Sequence, residues 1–288
     1  MSGPPGPGHA AALPVPRTAA GRAGLAAMLS APGRGLIALD FDGTLSPIVP
    51  DPAAARAYPG AVAALCRLAP LTGTLAIITG RPALAAVEYG GLGQVPGLIV
   101  LGHYGRERWQ AGTLAAPPAS PGVTAARREL PGVLAAAGAL EGTRTEDKED
   151  ALAVHTRNAA RPGEALDLLR GPLAGLAERT GLMVQPGRFV IELRPPGADK
   201  GSALENLAAE RRPGAVLFCG DDLGDRPAFG AVRSLRAGGI PGLAVCSGSA
   251  EVAGLADQAD LIVDGPGGVV ALLGSLADAF ARSAGGTG

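Results

Sequence analysis

The stretch Leu36-Ile37-Ala38-Leu39-Asp40-Phe41-Asp42-Gly43-Thr44-Leu45 joins a short apolar run to two carboxylates and a glycine. An apolar run of that length, closed by a polar turn, reads as a strand buried on both faces, as in parallel sheets. Similar runs recur at Thr74–Ile78, Leu98–Leu101, Val216–Cys219, Leu243–Cys246 and Leu261–Val263. Alanine- and leucine-rich segments with helical character lie between several of them, among them Pro59–Leu68 and Ser202–Glu210. The alternation predicts an α/β fold built on an open parallel sheet with helices on both faces.

The residues that follow these runs are Asp40, Thr79-Gly80-Arg81, Gly102-His103, Gly220-Asp221-Asp222, Ser247-Gly248 and Asp264-Gly265. In an open parallel sheet such strand ends share one edge, where ligands bind. The middle of the chain has another character. A helix over Thr124–Ala137 leads to the charged patch Glu146-Asp147-Lys148-Glu149-Asp150, a strand over Ala151–Thr156 and a helix over Pro162–Thr180. Leu182–Gln185 and Arg188–Leu193 then read as a hairpin turning at Pro186-Gly187. This is an inserted α/β cap with borders near Pro117-Pro118 and Pro195-Pro196-Gly197. The expected organisation is 1–30 as a disordered tail and a short helix (Thr18–Leu29), 31–118 and 198–288 as the two parts of the core, and 119–197 as the cap.

Composition bounds the function. A hydrophobic share of 47% with 18% charged residues is that of a globular chain, and 25 basic against 26 acidic residues give no basic excess. Neither a nucleic-acid partner nor an anionic membrane surface is expected. Cys66, Cys219 and Cys246 are far apart and fit neither a disulfide framework nor a CxxC metal site. The Pro- and Gly-rich first 16 residues lack the apolar core of a signal peptide, so a cytoplasmic location is expected.

The chemistry is read from the strand ends. Asp40 and Asp42 can both project from one turn, the first to attack phosphorus and the second to act as a general acid–base. The same hexapeptide also fits an ordinary Asp-Gly turn carrying surface carboxylates. Asp221, Asp222 and Asp225 offer hard oxygen ligands suited to Mg²⁺, or simply an acidic loop before a helix. Thr79 and Lys200 stand where a hydroxyl and an ammonium at a helix start could hold phosphate.

The order Asp-x-Asp-Gly-Thr, Thr-Gly-Arg, Lys and Gly-Asp-Asp-x-x-Asp resembles the haloacid dehalogenase superfamily of phosphatases. That resemblance implies Asp40 as nucleophile, Asp42 as acid–base, and Thr79 with Lys200 as phosphate clamp. It further implies Mg²⁺ held by Asp40, Asp221 and the main-chain carbonyl of Asp42, with Asp222 and Asp225 behind them. Within the superfamily, Asp40 to Pro52 is similar to the opening of trehalose-6-phosphate phosphatases. Gly102-His103-Tyr104-Gly105-Arg106-Glu107, Glu146-Asp147-Lys148, His155-Thr156-Arg157 and Ile191-Glu192-Leu193-Arg194-Pro195 resemble further elements of that family. The family resemblance implies a sugar-phosphate substrate, trehalose 6-phosphate, hydrolysed in the last step of trehalose formation and linked to a trehalose-phosphate synthase. Arg81, His103, Glu146, Lys148, His155, Arg157 and Glu192 are the substrate-binding residues it implies. Two departures stand out: Gly224 and Arg226 flank Asp225, where the family carries Thr and Glu. Sucrose phosphate or a glycosyl-phosphoglycerate as substrate, and a non-catalytic sugar-phosphate sensor, are the alternatives.

Overall fold

Helix α1 (Ala19–Ser30) precedes strand β1 (Gly35–Leu39) in the computed structural model, which describes residues 13–118, 120–148, 150–248 and 253–285. The tail expected before residue 13, and Glu149, lie outside the described residues. Next come α2 (Ala61–Leu68), β2 (Thr74–Ile78), α3 (Ala83–Gly90), β3 (Ile99–Gly102), β4 (Glu107–Gln110) and β5 (Thr113–Ala115). A middle segment holds α4 (Pro121–Ala136), β6 (Arg144–Asp147), β7 (Leu152–His155), α5 (Pro162–Thr180), β8 (Met183–Gly187) and β9 (Val190–Arg194). The chain continues through α6 (Lys200–Arg211), β10 (Ala215–Gly220), α7 (Arg226–Ala237), β11 (Gly242–Gly248), α8 (Ala253–Ala256), β12 (Leu261–Asp264) and α9 (Gly265–Gly285). Two units result: one from the chain up to Ala115 and from Asp199 onward, the other from Ala116 to Ala198.

The first unit is an eight-stranded sheet in the order β12-β11-β10-β1-β2-β3-β4-β5. Its strands pair in parallel from β12 to β3, and β4 and β5 extend one edge antiparallel. Alternation along β1 divides the core between the two faces. Ile37 and Leu39 pack with Met28 of α1, Leu65 and Leu68 of α2, and Leu273 and Leu276 of α9. Leu36 and Ala38 pack with Leu204 and Leu207 of α6 and with Phe229 and Val232 of α7. Each fully buried Leu, Ile or Phe contributes roughly 1.5–3 kcal/mol, so the central strand is pinned on both faces.

The register decides what meets at the strand ends. Leu39 lies opposite Cys219 of β10 on one side and Ile77 of β2 on the other. Asp40 N donates to Cys219 O at 2.8 Å, which carries the pairing one residue further and sets Asp40 beside Gly220-Asp221. The chain reverses direction of travel across the sheet at β1, so the crevice beyond β1 and β10 is a topological switch point.

The second unit is a four-stranded antiparallel sheet, β6-β7-β9-β8. Leu152, Val154, Ile191 and Leu193 bury against Val123, Leu130, Leu169, Leu173 and Leu176 of α4 and α5. Its other face carries a row set by register, with Glu146 opposite Ala153, Ala153 opposite Glu192, and Glu192 opposite Gln185.

Three sequence expectations change. Pro186 and Gly187 do not form the hairpin turn; they continue β8, pairing with Ile191 and Val190. The turn is Arg188-Phe189, with Phe189 at a φ of 58°. Pro186 is tolerated because β8 is an edge strand, where a missing N–H breaks no ladder. Glu146 and Asp147, the start of the expected charged patch, belong to strand β6, and β4 and β5 add strands that the apolar runs did not announce. No helix among the described residues is long and apolar enough to cross a membrane. The three cysteines are free, with Cys219 and Cys246 buried.

Candidate active site

Asp40 leaves the end of β1 almost fully buried. The turn behind it is tight: Leu45 N and Ser46 N both donate to Phe41 O, and Gly43 N donates to Ser46 O at 2.7 Å. Gly43 has φ of 77°, and a Cβ there would stand 2.0 Å from Asp221 Oδ2. Only glycine lets the two acidic loops come this close. Ser247, at the end of β11, donates from Oγ to Gly43 O at 2.7 Å and fastens the turn from a third strand.

Lys200 stands at the first position of α6, whose N-cap Asp199 forms a reciprocal box with Ser202. Its buried ammonium contacts Asp40 Oδ1 at 2.6 Å and Asp225 Oδ1 at 2.7 Å. The other oxygen of Asp225 accepts from Asp221 N at 2.9 Å and Asp222 N at 3.2 Å. Asp225 therefore spends both oxygens on shaping the loop and steadying the lysine. Asp222 is exposed and accepts from Gly224 N at 2.8 Å. Gly224 is half-buried and Arg226 is exposed.

Thr79 is buried at the end of β2, and its Oγ1 accepts from Arg81 N at 3.1 Å. Beneath it runs a turn in which His103, Tyr104 and Gly105 all have positive φ, at 46°, 58° and 96°. Tyr104 N donates to Thr79 O and His103 N to Arg81 O, each at 2.9 Å. Two consecutive non-glycine residues in the left-handed region mark strain held by surrounding bonds. His103 itself is buried with Nε2 3.6 Å from Glu107 Oε1, and Glu107 Oε2 accepts from Ala83 N at 2.6 Å. The His103 side chain is 3% exposed. Arg81 turns to Asp42, with Nε to Oδ2 and Nη2 to Oδ1 both at 2.6 Å.

The carboxylates of Asp40, Asp221 and Asp225 offer oxygens within 4.8 Å of one another. Burial drives the Asp40 carboxyl well above its ordinary range; Lys200 opposes this, while Asp225 and Asp221 add to it. Burial and the charges of Asp225 and Asp222 push Asp221 up to about 8. Burial works against the Lys200 ammonium, yet Asp225 and Asp40 outweigh it and raise its pKa. Asp221 Oδ1 is buried without a hydrogen-bond partner. An acidic cluster with one lysine and an orphaned carboxylate oxygen fits a divalent cation bound through oxygen.

A pH dependence follows. The folded Asp221 titrates near 8 against an ordinary 3.8, so between those values the folded chain holds a proton that the unfolded chain has lost. Stability of the metal-free protein is present at the acid end of that window and falls as pH rises through it. A cation binding the ionised cluster reverses this. Melting temperature with a chelator is expected to drop between about pH 5 and pH 8, with Mg²⁺ raising it more at the upper pH. An equal gain at both values would exclude the cluster as the binding site.

Of the residues expected at a sugar, those in the second unit gather on the open face of its sheet. Lys148 Nζ contacts Glu192 Oε2 at 2.7 Å, and His155 Nε2 lies 2.8 Å from Glu146 Oε2. Glu192 Oε1 is buried without a partner. Arg157 is exposed beyond the end of β7. Sequence reasoning missed the Ser247 fastening and the Arg81–Asp42 pair; the position of Ser247 at a strand end was its only signal.

A family model described as trehalose-phosphatase matches residues 38–260. The trehalose-phosphate phosphatase of Mycobacterium avium (strain 104) is 39% identical over 218 residues, covering 70% of this chain and 52% of the relative. The chain thus spans about half the length of that curated relative. A crystal structure described as a trehalose-6-phosphate phosphatase related protein superposes with a TM-score of 0.65 at 25% identity, covering 83% of this chain and 95% of that one. A haloacid dehalogenase-like hydrolase from Bacteroides thetaiotaomicron shares the fold at a TM-score of 0.55 and 17% identity, covering 83% of this chain and 98% of that one.

Proposed function

Because the chain belongs to the trehalose-phosphatase family, we propose that it hydrolyses trehalose 6-phosphate to trehalose and phosphate. The observation that carries the reading is the buried Asp40 carboxylate at the end of β1, held 2.6 Å from Lys200 and beside Asp221. In the first step an Asp40 oxygen bonds to phosphorus as the bond from phosphorus to the sugar oxygen breaks, and Asp42 gives its proton to that oxygen. In the second, water attacks the aspartyl-phosphate, Asp42 takes the proton of the water, and phosphate departs from Asp40. The Thr79 hydroxyl and the Lys200 ammonium hold the phosphoryl oxygens. Asp40, Asp221 and the main-chain carbonyl of Asp42 would hold Mg²⁺, which supplies charge neutralisation for the phosphate dianion.

The open face of the second unit supplies the sugar contacts in this reading. Glu146, Lys148, His155 and Glu192 offer donors and acceptors in both senses, and the unpaired Glu192 Oε1 suits a hydroxyl donor. Arg157 adds a cation at the margin of that face. A trehalose-phosphate synthase would supply the substrate. Phosphate release over a panel of sugar phosphates, with and without Mg²⁺, tests the assignment. Trehalose 6-phosphate should lead the panel, and activity should vanish without the metal; a flat response, or another ester leading, would overturn the substrate. Replacing Lys148 by alanine is expected to raise KM for trehalose 6-phosphate roughly 10-fold or more, the loss of a charge-assisted hydrogen bond. An unchanged ranking of esters in that variant would remove the sugar role from this face.

A further inference from the structure

Arg81 holds both oxygens of Asp42 in a planar fork, with two N–H···O bonds of 2.6 Å. The arginine is itself fixed. Its Nη1 donates to Pro52 O at 2.8 Å, and its guanidinium lies over the rings of Phe41 and Tyr89, 5.6 Å and 5.8 Å from their centroids. Arg56 stacks on Tyr89 at 5.5 Å and is tied to Ala53 O and Ala55 O. The Arg81 side chain is 14% exposed, while that of Asp42 is 40% exposed. An aspartate so open to water, on a turn, would otherwise sample several rotamers. Proton transfer requires it within hydrogen-bond reach of one ester oxygen.

We infer that Arg81 is a positioning residue for Asp42, braced by Tyr89, and not a contact for the phosphate. The inference rests on the phosphomonoesterase reading given above. A bidentate guanidinium sets both the place and the plane of a carboxylate, which a lysine ammonium does not. The arrangement holds Asp42 at the mouth of the site while Lys200, from the first turn of α6, serves Asp40. The two aspartates of the motif thus have separate cationic partners, one buried and one at the rim.

The chemistry of the leaving group separates this role from a structural one. A sugar alkoxide departs poorly without a proton, whereas 4-nitrophenolate departs readily. Arg81→Lys and Arg81→Gln are expected to lower kcat for trehalose 6-phosphate by about 100-fold, with KM unchanged. The initial burst of 4-nitrophenolate, which reports formation of the aspartyl-phosphate before the water step that both esters share, should stay within about threefold of the parent. Tyr89→Leu, which removes only the brace, should show the same split at smaller size and guards against a folding defect in the arginine variants. An equal loss in the 4-nitrophenolate burst and in single-turnover cleavage of trehalose 6-phosphate would overturn the inference in favour of a structural role. A rise in KM with kcat retained would overturn it in favour of phosphate contact, and normal turnover by Arg81→Lys would show that charge alone suffices. A parent protein inert towards both esters overturns the phosphatase reading itself and this role with it.

Discussion

Asp40→Asn is expected to reduce phosphate release by about 10⁴-fold or more, equivalent to roughly 5.5 kcal/mol of lost barrier lowering, while the fold survives. The amide has the size of the carboxylate and keeps the backbone bond to Cys219, but it has no charge with which to attack phosphorus. Stability should hardly fall. Asp40 already resists ionisation through burial and the neighbouring Asp225 and Asp221, so a neutral group there relieves crowding as well as losing Lys200 as a partner. Steady-state phosphate release and a melting curve check both halves. Turnover within about tenfold of the parent would remove Asp40 as the nucleophile.

Lys200→Met should be the most damaging single change to the first unit. The lysine is 5% exposed and is the shared cation of Asp40 and Asp225. Removing one partner of a buried ion pair leaves charge uncompensated and costs about 3–5 kcal/mol. Activity should be lost as well, because the ammonium next to Asp40 is gone. Adding Asp225→Asn to this variant should recover part of the lost stability, since one of the stranded carboxylates is then neutral. Urea denaturation of the parent, both single variants and the double variant gives the coupling. Additive losses, or a Lys200→Met cost below about 1 kcal/mol, would show that the lysine is not bearing that load.

The central strands were legible because β1, β2, β3, β10 and β11 are buried on both faces and read as bare apolar runs. Lys200 was legible at a helix start, and Asp199 and Ser202 explain why that helix begins there. Legibility failed where exposure dilutes the pattern. All three residues of β5 are exposed, and β6 is polar throughout, so neither has an apolar face to announce it. The turn at Arg188-Phe189 escaped because Pro186-Gly187 carries the stronger local turn chemistry, and pairing across the sheet overrode it. The Arg81 fork on Asp42 spans 39 positions and the Ser247 bond to Gly43 spans 204, distances over which a motif carries no geometric information. Likewise, nothing in the residue types of His103 and Tyr104 predicts left-handed backbone; the bonds to Thr79 and Arg81 impose it.

The placement of β1 between β2 and β10 has a consequence in time. A ribosome delivers Asp40 and Thr79 early, then the whole of the second unit, and only afterwards Lys200 and Asp221. Until β10 emerges, one edge of the fully buried strand β1 has no neighbour, and the acidic motif has not met its opposing loop. Pairings so distant in sequence form slowly, and unpaired strand edges in partly made chains invite misassembly. Asp40 therefore meets Lys200 and Asp221 only after α6 and β10 have emerged and β10 has docked against β1.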